Sequence, residues 1–144
     1  MRWPRRARRS SARLRVLALD YGSARCGVAV SDPTGTLATP LEPLLRPATK
    51  KGFAALTRRI RELEVEQVVL GLPLSLSGAD SAQTRETREF AERLSAAVSV
   101  PVALYDERFT TSLAHQAGGS GSLDSRAAAV LLEEWLARGM TNKR

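Results

Sequence analysis

The chain contains five short apolar runs, and the lengths of the connections between them constrain its fold more than any other feature. The first three runs, residues 14–20, 26–31 and 37–45, are separated by connections of only a few residues. Strands joined this closely pair antiparallel, because a parallel pair needs a crossover of a dozen or more residues. The last two runs, residues 65–73 and 100–107, each follow a much longer connection. We therefore expect an antiparallel meander followed by two strands that enter the sheet through crossovers.

Three further segments, 49–63, 81–98 and 124–138, have apolar residues at helical spacing and charged residues on their other faces. We also expect a short helix from Thr110 or Thr111 to Gln116. The predicted inward-facing residues are Phe53, Leu56, Ile60 and Leu63 in the first helix, Phe90, Leu94 and Val98 in the second, and Ala128, Leu131, Leu132 and Trp135 in the last.

This order of elements predicts one α/β domain over residues 14–140. Three antiparallel strands followed by parallel crossovers give a mixed five-stranded sheet with helices on both faces, which is the ribonuclease H-like layout. Pro40 and Pro43 place the third strand at an edge or make it irregular, because proline cannot donate a hydrogen bond to a sheet ladder. A chain of 144 residues has room for one core of normal size.

The formal net charge of +7 is concentrated at the N terminus. Residues 1–15 contain seven arginines and no acid, and the rest of the chain has equal numbers of basic and acidic residues. Residues 1–13 have almost no apolar content beyond Trp3, so we expect a disordered tail. The tail either binds a polyanion or is an inert extension, such as one left by a start codon placed too early. The high isoelectric point describes this tail and not a basic fold surface.

Several classes of protein are excluded by what the chain contains only once. Cys26 is the single cysteine, which excludes an internal disulfide and a paired-cysteine zinc site. His115 is the single histidine, which excludes a metal site that needs two histidines. The apolar run that follows the tail ends at Asp20 and is too short for a signal peptide. No run approaches the ~20 apolar residues that span a bilayer. We expect a soluble cytoplasmic protein without a membrane partner, whose chemistry depends on carboxylates.

Acidic residues follow the apolar runs at three places. Asp20 ends the first predicted strand, Asp106 and Glu107 end the fifth, and Asp124 opens the last helix. Taken singly, they are typical of a turn, a solvated strand end and a helix N-cap. Taken together at one sheet edge they need a cation, because two carboxylates ~4 Å apart repel by about 4 kcal/mol at an effective dielectric of about 20. Oxygen ligands without His or Cys favour Mg²⁺ or Mn²⁺, and such ions suit phosphodiester hydrolysis.

Four segments resemble, in order, the signature blocks of the YqgF family, which comprises RuvC-like Holliday junction resolvases also described as pre-16S ribosomal RNA nucleases. The resemblance covers nearly everything from Leu14 to Arg138. It implies an endonuclease acting on structured nucleic acid, either precursor rRNA at its 5′ end or branched DNA. The four segments are DYGSARCGVAVSD (20–32), VVLGLPLSLSG (68–78), DERFTT (106–111) and LDSRAAAVLLEEWL (123–136).

The resemblance also implies the roles of particular residues. It selects the same acids that their positions indicate and, within the third block, favours Glu107 over Asp106 as the metal ligand. Asp106 is then expected to accept hydrogen bonds from the following turn. The implied catalytic and metal-binding residues are Asp20, Glu107 and Asp124, and we assign Ser23, Arg108, Thr110 and Thr111 to substrate binding.

One segment departs from the family pattern. Between Thr111 and Asp124 the family is typically longer and rich in Lys and Arg, whereas this chain has SLAHQAGGSGSL. Phosphate contacts supply most nonspecific nucleic-acid affinity, so the departure concerns substrate binding rather than catalysis. Two alternatives to a nuclease are a catalytically silent RNA-binding module and a nucleotide-binding fragment of the actin and sugar-kinase type. The sequence leaves open whether the protein forms a homodimer.

Overall fold

The computed structural model describes residues 15–73, 81–106 and 123–139. These residues form one five-stranded sheet and three helices. The strands are β1 (Val16–Asp20), β2 (Arg25–Ser31), β3 (Ala38–Leu45), β4 (Gln67–Leu72) and β5 (Val102–Asp106), and the helices are α1 (Lys50–Glu62), α2 (Ala82–Ala97) and α3 (Leu123–Ala137).

The strand order in the sheet is β3-β2-β1-β4-β5. The first three strands pair antiparallel, and β4 joins β1 and β5 in parallel. This is the mixed sheet expected from the connection lengths. The third strand, which contains Pro40 and Pro43, lies at an edge as expected.

The turn between β1 and β2 requires a glycine. A Cβ added at Gly22 would lie 2.7 Å from the carbonyl oxygen of Arg25, which is closer than real Cβ contacts. The chain therefore reverses tightly directly after Asp20, and the start of β2 returns beside the end of β1.

Side chains of the central strands alternate between two cores, one on each face of the sheet. Leu17 and Leu19 of β1 pack with residues of α1 and α2, whereas Val16 and Ala18 pack with α3. On the α3 face, the rings of Tyr105 and Trp135 meet edge to face with their centroids 5.9 Å apart. The expectation of helices on both faces is confirmed.

The helix boundaries lie within one or two residues of those that the sequence predicts. Thr49 caps α1 and Ser81 caps α2, each accepting a hydrogen bond from a backbone N–H of the first turn. After α3, Gly139 adopts a φ of 70°, the left-handed conformation in which glycine commonly ends a helix. The short helix predicted from Thr110 to Gln116 lies outside the described residues.

Two buried residues of α2, Thr84 and Thr87, are absent from the predicted inward face because that prediction counted only apolar residues. Their hydroxyls are satisfied locally. Thr84 donates to the carbonyl oxygen of Pro73 at 2.6 Å, and Thr87 donates to that of Gln83 at 2.9 Å. The first of these bonds ties the start of α2 to the residue that follows β4.

Within the ranges given above, no helix is long and apolar enough to cross a membrane. Cys26 is buried, and its thiol donates to the carbonyl oxygen of Gly27 at 3.6 Å.

Candidate active site

The carboxyl ends of β1, β4 and β5 meet at one edge of the sheet, which we call the carboxyl edge. Asp20 is the last residue of β1, and Asp106 is the last residue of β5. The register places them at nearly the same level, because Leu19 pairs with Leu70 and Leu72 pairs with Asp106. With β4 between them, their backbones are two strand spacings apart, or roughly 10 Å.

Strand alternation assigns these two acids to opposite faces of the sheet. Val16 and Ala18 pack on the α3 face, so Asp20, which is next in the same alternating series, also lies on that face. Tyr105 packs on the α3 face as well. Asp106 therefore lies on the face that α1 and α2 cover.

A buried hydrogen bond fixes the start of α3 against β2. The Ser125 hydroxyl, which is 1% exposed, accepts from the backbone N–H of Val28 at 3.2 Å. Val28 pairs with Leu19, the residue before Asp20. The β2–β3 pairing shifts register between Cys26 and Val28, which leaves this N–H available to a side chain.

As a consequence of this bond, the backbone of Asp124, which is adjacent to Ser125 in the first turn of α3, lies beside the end of β1. The side chain of Asp124 lies outside the described residues. Ser125 itself was not singled out by the sequence analysis. The available signal was its spacing, because Ser125 falls three residues before Ala128 and seven before Leu132, on the buried stripe of the helix.

The other predicted site residues divide into one that the structure describes and four that it does not. Ser23 is exposed in the turn between β1 and β2, at the carboxyl edge. Among the described residues, no three His, Cys, Asp or Glu side chains are grouped so that they could hold a metal ion. Glu107, Arg108, Thr110 and Thr111 lie outside the described residues.

An aromatic cluster supports the carboxyl edge from the α2 side. The ring of Tyr21, directly after Asp20, stacks on Phe90 with their centroids 4.5 Å apart. Burial, followed by the nearby Glu86 carboxylate, raises the pKa of the Tyr21 hydroxyl above its ordinary value. This tyrosine therefore remains neutral at physiological pH and anchors the end of β1.

The family model described as "RuvX: Holliday junction resolvase" matches residues 14–138. The chain belongs to the RuvX family. This membership confirms the resemblance seen in the four sequence blocks, and it covers every described element from β1 to α3.

Named relatives within the RuvX family agree with this assignment. A candidate pre-16S rRNA nuclease of Koribacter versatilis is 50% identical over 97 residues, covering 67% of this chain and 63% of that protein. One of Maridesulfovibrio salexigens is 39% identical over 134 residues, covering 87% of this chain and 99% of that protein.

A solved structure shows the same fold. RuvC of Thermus thermophilus, determined in complex with a Holliday junction substrate, superposes with a TM-score of 0.55 at 16% identity. The match covers 91% of this chain and 98% of the RuvC chain. The predicted ribonuclease H-like fold is thereby confirmed.

Proposed function

We propose that this RuvX-family protein is a metal-dependent endonuclease that hydrolyses phosphodiesters in structured nucleic acid. Its cellular task is processing of the 5′ end of pre-16S rRNA in the cytoplasm, with resolution of branched DNA as the second candidate. One observation carries the proposal: the ends of β1 and β5 and the first turn of α3 meet at one edge of the sheet. The Ser125–Val28 hydrogen bond holds α3 in this position, beside the end of β1. The relatives named as nucleases of pre-16S rRNA support the choice of substrate.

The donor set proposed for the metal consists of the carboxylates of Asp20, Glu107 and Asp124. All are hard oxygen ligands, and Asp20 extends from a strand that is buried on both faces, so its backbone is rigid. This chemistry fits Mg²⁺ or Mn²⁺. When bound, such an ion lowers the pKa of a water nucleophile and stabilises charge on the leaving oxygen.

Strand alternation supports Glu107 rather than Asp106 as the ligand. Tyr105 faces α3, and Asp106 faces the opposite side. A strand that continued by one residue would direct Glu107 to the α3 face, which is also the face of Asp20. The expected role of Asp106 is then to accept hydrogen bonds from the turn that follows the strand.

We also propose substrate-binding roles for Ser23, Arg108, Thr110 and Thr111. Ser23 is exposed three residues after Asp20 and offers a hydroxyl donor to a phosphate oxygen. Thr110 and Thr111 offer the same donor, and Arg108 adds a positive charge with a planar set of N–H groups that matches a phosphate. The two alternatives to a nuclease gain no support, because the matching family and its named relatives are nucleases.

The test compares cleavage of a labelled precursor 16S rRNA leader and a labelled four-way DNA junction, with EDTA, Mg²⁺ or Mn²⁺. Glu107→Gln should abolish cleavage, whereas its neighbour Asp106→Asn should keep measurable activity and lose mainly stability. If Glu107→Gln cleaved at the wild-type rate while Asp106→Asn were inactive, the two assignments would be exchanged. If wild-type protein cleaved neither substrate with any metal, the nuclease proposal would be wrong.

A further inference from the structure

The charge of the folded body is unevenly distributed along the chain. Residues 43–61 contain six basic and no acidic residues, whereas residues 62–107 contain three basic and nine acidic residues. The net charges of the two stretches cancel, so the part of the chain after residue 15 is formally neutral although it contains a strongly basic segment. That segment comprises the end of β3, the connection that follows and most of α1.

The first half of the basic segment lies at the carboxyl edge. Leu45, at the end of β3, pairs with Arg25 at the start of β2, and the Arg46 N–H donates to the carbonyl oxygen of Ala24 at 3.0 Å. Two residues after Arg25, Gly27 pairs with Asp20. The backbone of Arg46 is therefore two strand spacings across the sheet and three residues along the strands from that of Asp20, a distance of roughly 14 Å.

The start of α1 is fixed against Arg46. The N–H and the hydroxyl of Thr49 both donate to the Arg46 carbonyl oxygen, at 3.1 and 2.7 Å. Gly52 packs against the same oxygen so closely that an added Cβ would lie 2.0 Å from it. This packing holds Lys50 and Lys51 beside Arg46.

Four exposed basic residues therefore gather at the carboxyl edge, and we call Arg25, Arg46, Lys50 and Lys51 the basic patch. In the part of the chain that the structure describes, the side chains of Arg46, Lys50 and Lys51 form no hydrogen bond or ion pair. Other basic residues nearby serve the fold. Arg59 donates to the carbonyl oxygen of Glu42, and Arg93 donates to that of Ala48, both at 2.7 Å.

The neighbouring helix does not offer a comparable surface. Along α2, Arg85, Arg88 and Arg93 alternate with three glutamates, so its exposed face has no net positive charge. Leu72 and Pro73 at the end of β4, and Asp106 at the end of β5, add no basic residue. Among α2 and the strand ends at the carboxyl edge, excess positive charge is therefore concentrated where β2, β3 and α1 meet.

We propose that the basic patch binds backbone phosphates of the nucleic-acid strand a few nucleotides from the scissile phosphate. The identity of the substrate rests on the proposed function. The patch lies at the same edge as Asp20, its charge is complementary to phosphate, and phosphate contacts by Lys and Arg need no base sequence. It supplies the basic surface that SLAHQAGGSGSL, between Thr111 and Asp124, does not.

The test uses matched substitutions at the two ends of α1. Lys50→Gln/Lys51→Gln removes two exposed charges at the carboxyl edge, and Arg58→Gln/Arg61→Gln removes two exposed charges roughly 13 Å along the same helix. Binding is measured by fluorescence anisotropy in Ca²⁺ with a labelled four-way DNA junction and a labelled 16S leader RNA. Salt is varied from about 50 to 200 mM, the range in which phosphate contacts dominate.

A third variant separates charge from stability. Arg46 has a φ of 46°, a conformation that favours glycine, so Arg46→Gly removes a charge while relaxing the backbone. We expect its melting temperature to match or exceed that of the wild type. A loss of binding by this variant would therefore come from the missing charge and not from unfolding.

We expect the removal of each phosphate-binding side chain of the patch to weaken binding about fivefold at about 0.1 M salt, and to flatten the slope of log K against log salt by about 0.7–0.9. The Arg58→Gln/Arg61→Gln variant should bind within about twofold of wild type. Equal weakening by both double variants, or by neither, would overturn the proposal. A larger patch-dependent loss of affinity with one of the two nucleic acids identifies the one with which the patch makes more phosphate contacts.

The two proposals fail differently. If wild-type protein cleaves neither substrate but its binding depends on the basic patch, the proposed nuclease activity is wrong and the proposed role of the patch stands. If wild-type protein cleaves a substrate and the patch variants have the same KM, the proposed role of the patch is wrong and the nuclease activity stands.

Discussion

The carboxyl edge and the edge at the opposite ends of the strands contain the same kinds of charged side chain, but the partners of these side chains differ. At the edge opposite the carboxyl edge, polar groups bind one another. Arg15 donates to the carbonyl oxygens of Ser31 and Leu63, both at 3.1 Å, and Asp32 accepts from the Thr34 hydroxyl and from two backbone N–H groups of its own turn. The acids and bases of this edge therefore close turns and join strands.

At the carboxyl edge, charged residues converge from separate elements instead. Asp20 ends β1, Asp106 ends β5, and the basic patch comes from β2, the β3–α1 connection and α1. The difference shows that an acid at a strand end is informative only when its position relative to other elements is known. Sequence alone gives Asp20 and Asp32 similar surroundings, because each directly follows an apolar run and precedes a turn.

The largest expected effect separates these two aspartates. Asp20→Asn should lower turnover on the order of 10³-fold or more, because ligands of one site act as a unit, while its melting temperature stays close to wild type. Asp32→Asn should keep near-wild-type turnover and lose stability, because its carboxylate closes the β2–β3 turn. Cleavage assays and thermal melts on both variants measure this, and equal activity of the two would remove the distinction between the edges.

The N-terminal tail provides the next contrast, because Arg15, the first described residue, lies at the edge opposite the carboxyl edge. We propose that residues 1–13 form a tail outside the domain that spans 14–140. Arg15 is held by hydrogen bonds to Ser31 and Leu63, and β1 separates it from Asp20 by about 17 Å. Thirteen extended residues reach about 45 Å, so the tail is long enough to contact nucleic acid bound at the carboxyl edge.

Deleting residues 1–13 should leave the melting temperature unchanged, weaken nucleic-acid binding and flatten its salt dependence by about 0.7–0.9 for each arginine engaged. Anisotropy titrations at several salt concentrations measure the slope. An unchanged slope would show that the tail is a passive extension and that the folded body supplies the affinity alone.

Metal binding should stabilise the fold only through the carboxyl edge. A ligand that binds only the native state adds about 2.7 kcal/mol at 100 times its dissociation constant. We expect Mn²⁺ to raise the melting temperature of wild-type protein and of Asp32→Asn relative to EDTA, but not that of Asp20→Asn. Identical midpoints for wild type in EDTA and in millimolar Mn²⁺ would exclude a tight site made by the three carboxylates.

Two buried serines provide a matched pair of smaller effect. The Ser125 hydroxyl accepts from the Val28 N–H at 3.2 Å near the carboxyl edge, and the Ser31 hydroxyl accepts from the Val16 N–H at 2.8 Å at the opposite edge. Replacing either serine with alanine leaves a buried N–H unsatisfied, which costs about 1–3 kcal/mol.

Both variants should therefore lose similar stability in urea denaturation. Only Ser125→Ala should also lower turnover at a temperature where both remain folded, because only Ser125 positions the start of α3 beside Asp20. An equal loss of turnover in Ser31→Ala would mean that general destabilisation explains both results.

The sequence predicts the fold well because connection length and apolar periodicity act locally. Runs separated by five residues pair antiparallel, and stripes such as Leu56 and Ile60 on α1 identify a buried face, whatever the rest of the chain does. Buried polar residues escaped this reasoning. Thr84 and Ser125 resemble surface residues until the partner is known, and each partner lies outside the helix that contains the residue.

The candidate site was partly predictable for the same reason. Strand ends fix the positions of Asp20 and Asp106, but pairing of β2 with β3 is needed to bring Arg25 beside Arg46. The net charge of the chain after residue 15 concealed the basic patch, because the acidic residues among residues 62–107 cancel its positive charge. The roles of Asp20, Glu107 and Asp124 remain predictions from their positions and from the family resemblance.

The smallest effect concerns the pH dependence of the Asp32 turn. The Thr34 hydroxyl, followed by the N–H groups of Leu37 and Thr36, lowers the pKa of the Asp32 carboxyl below its ordinary value. A carboxyl whose pKa is lower in the folded than in the unfolded protein contributes stability above the unfolded pKa of about 3.9 and loses it as pH falls toward the folded pKa. The difference in unfolding free energy between wild type and Asp32→Asn should therefore be constant near neutral pH and shrink below about pH 4.

Urea denaturation of wild type and Asp32→Asn across this pH range measures the difference, and NMR titration of the Asp32 carboxyl carbon follows the group directly. Thr34→Val, which removes the leading donor, should move that titration upward toward the ordinary value. A stability difference that stayed constant down to a pH of about 3, well below the unfolded pKa, would mean that the Asp32 charge does not hold the turn. The turn between β2 and β3 would then be held by its backbone hydrogen bonds, such as those from Asp32 N–H to Leu37 and from Gly35 N–H to Asp32.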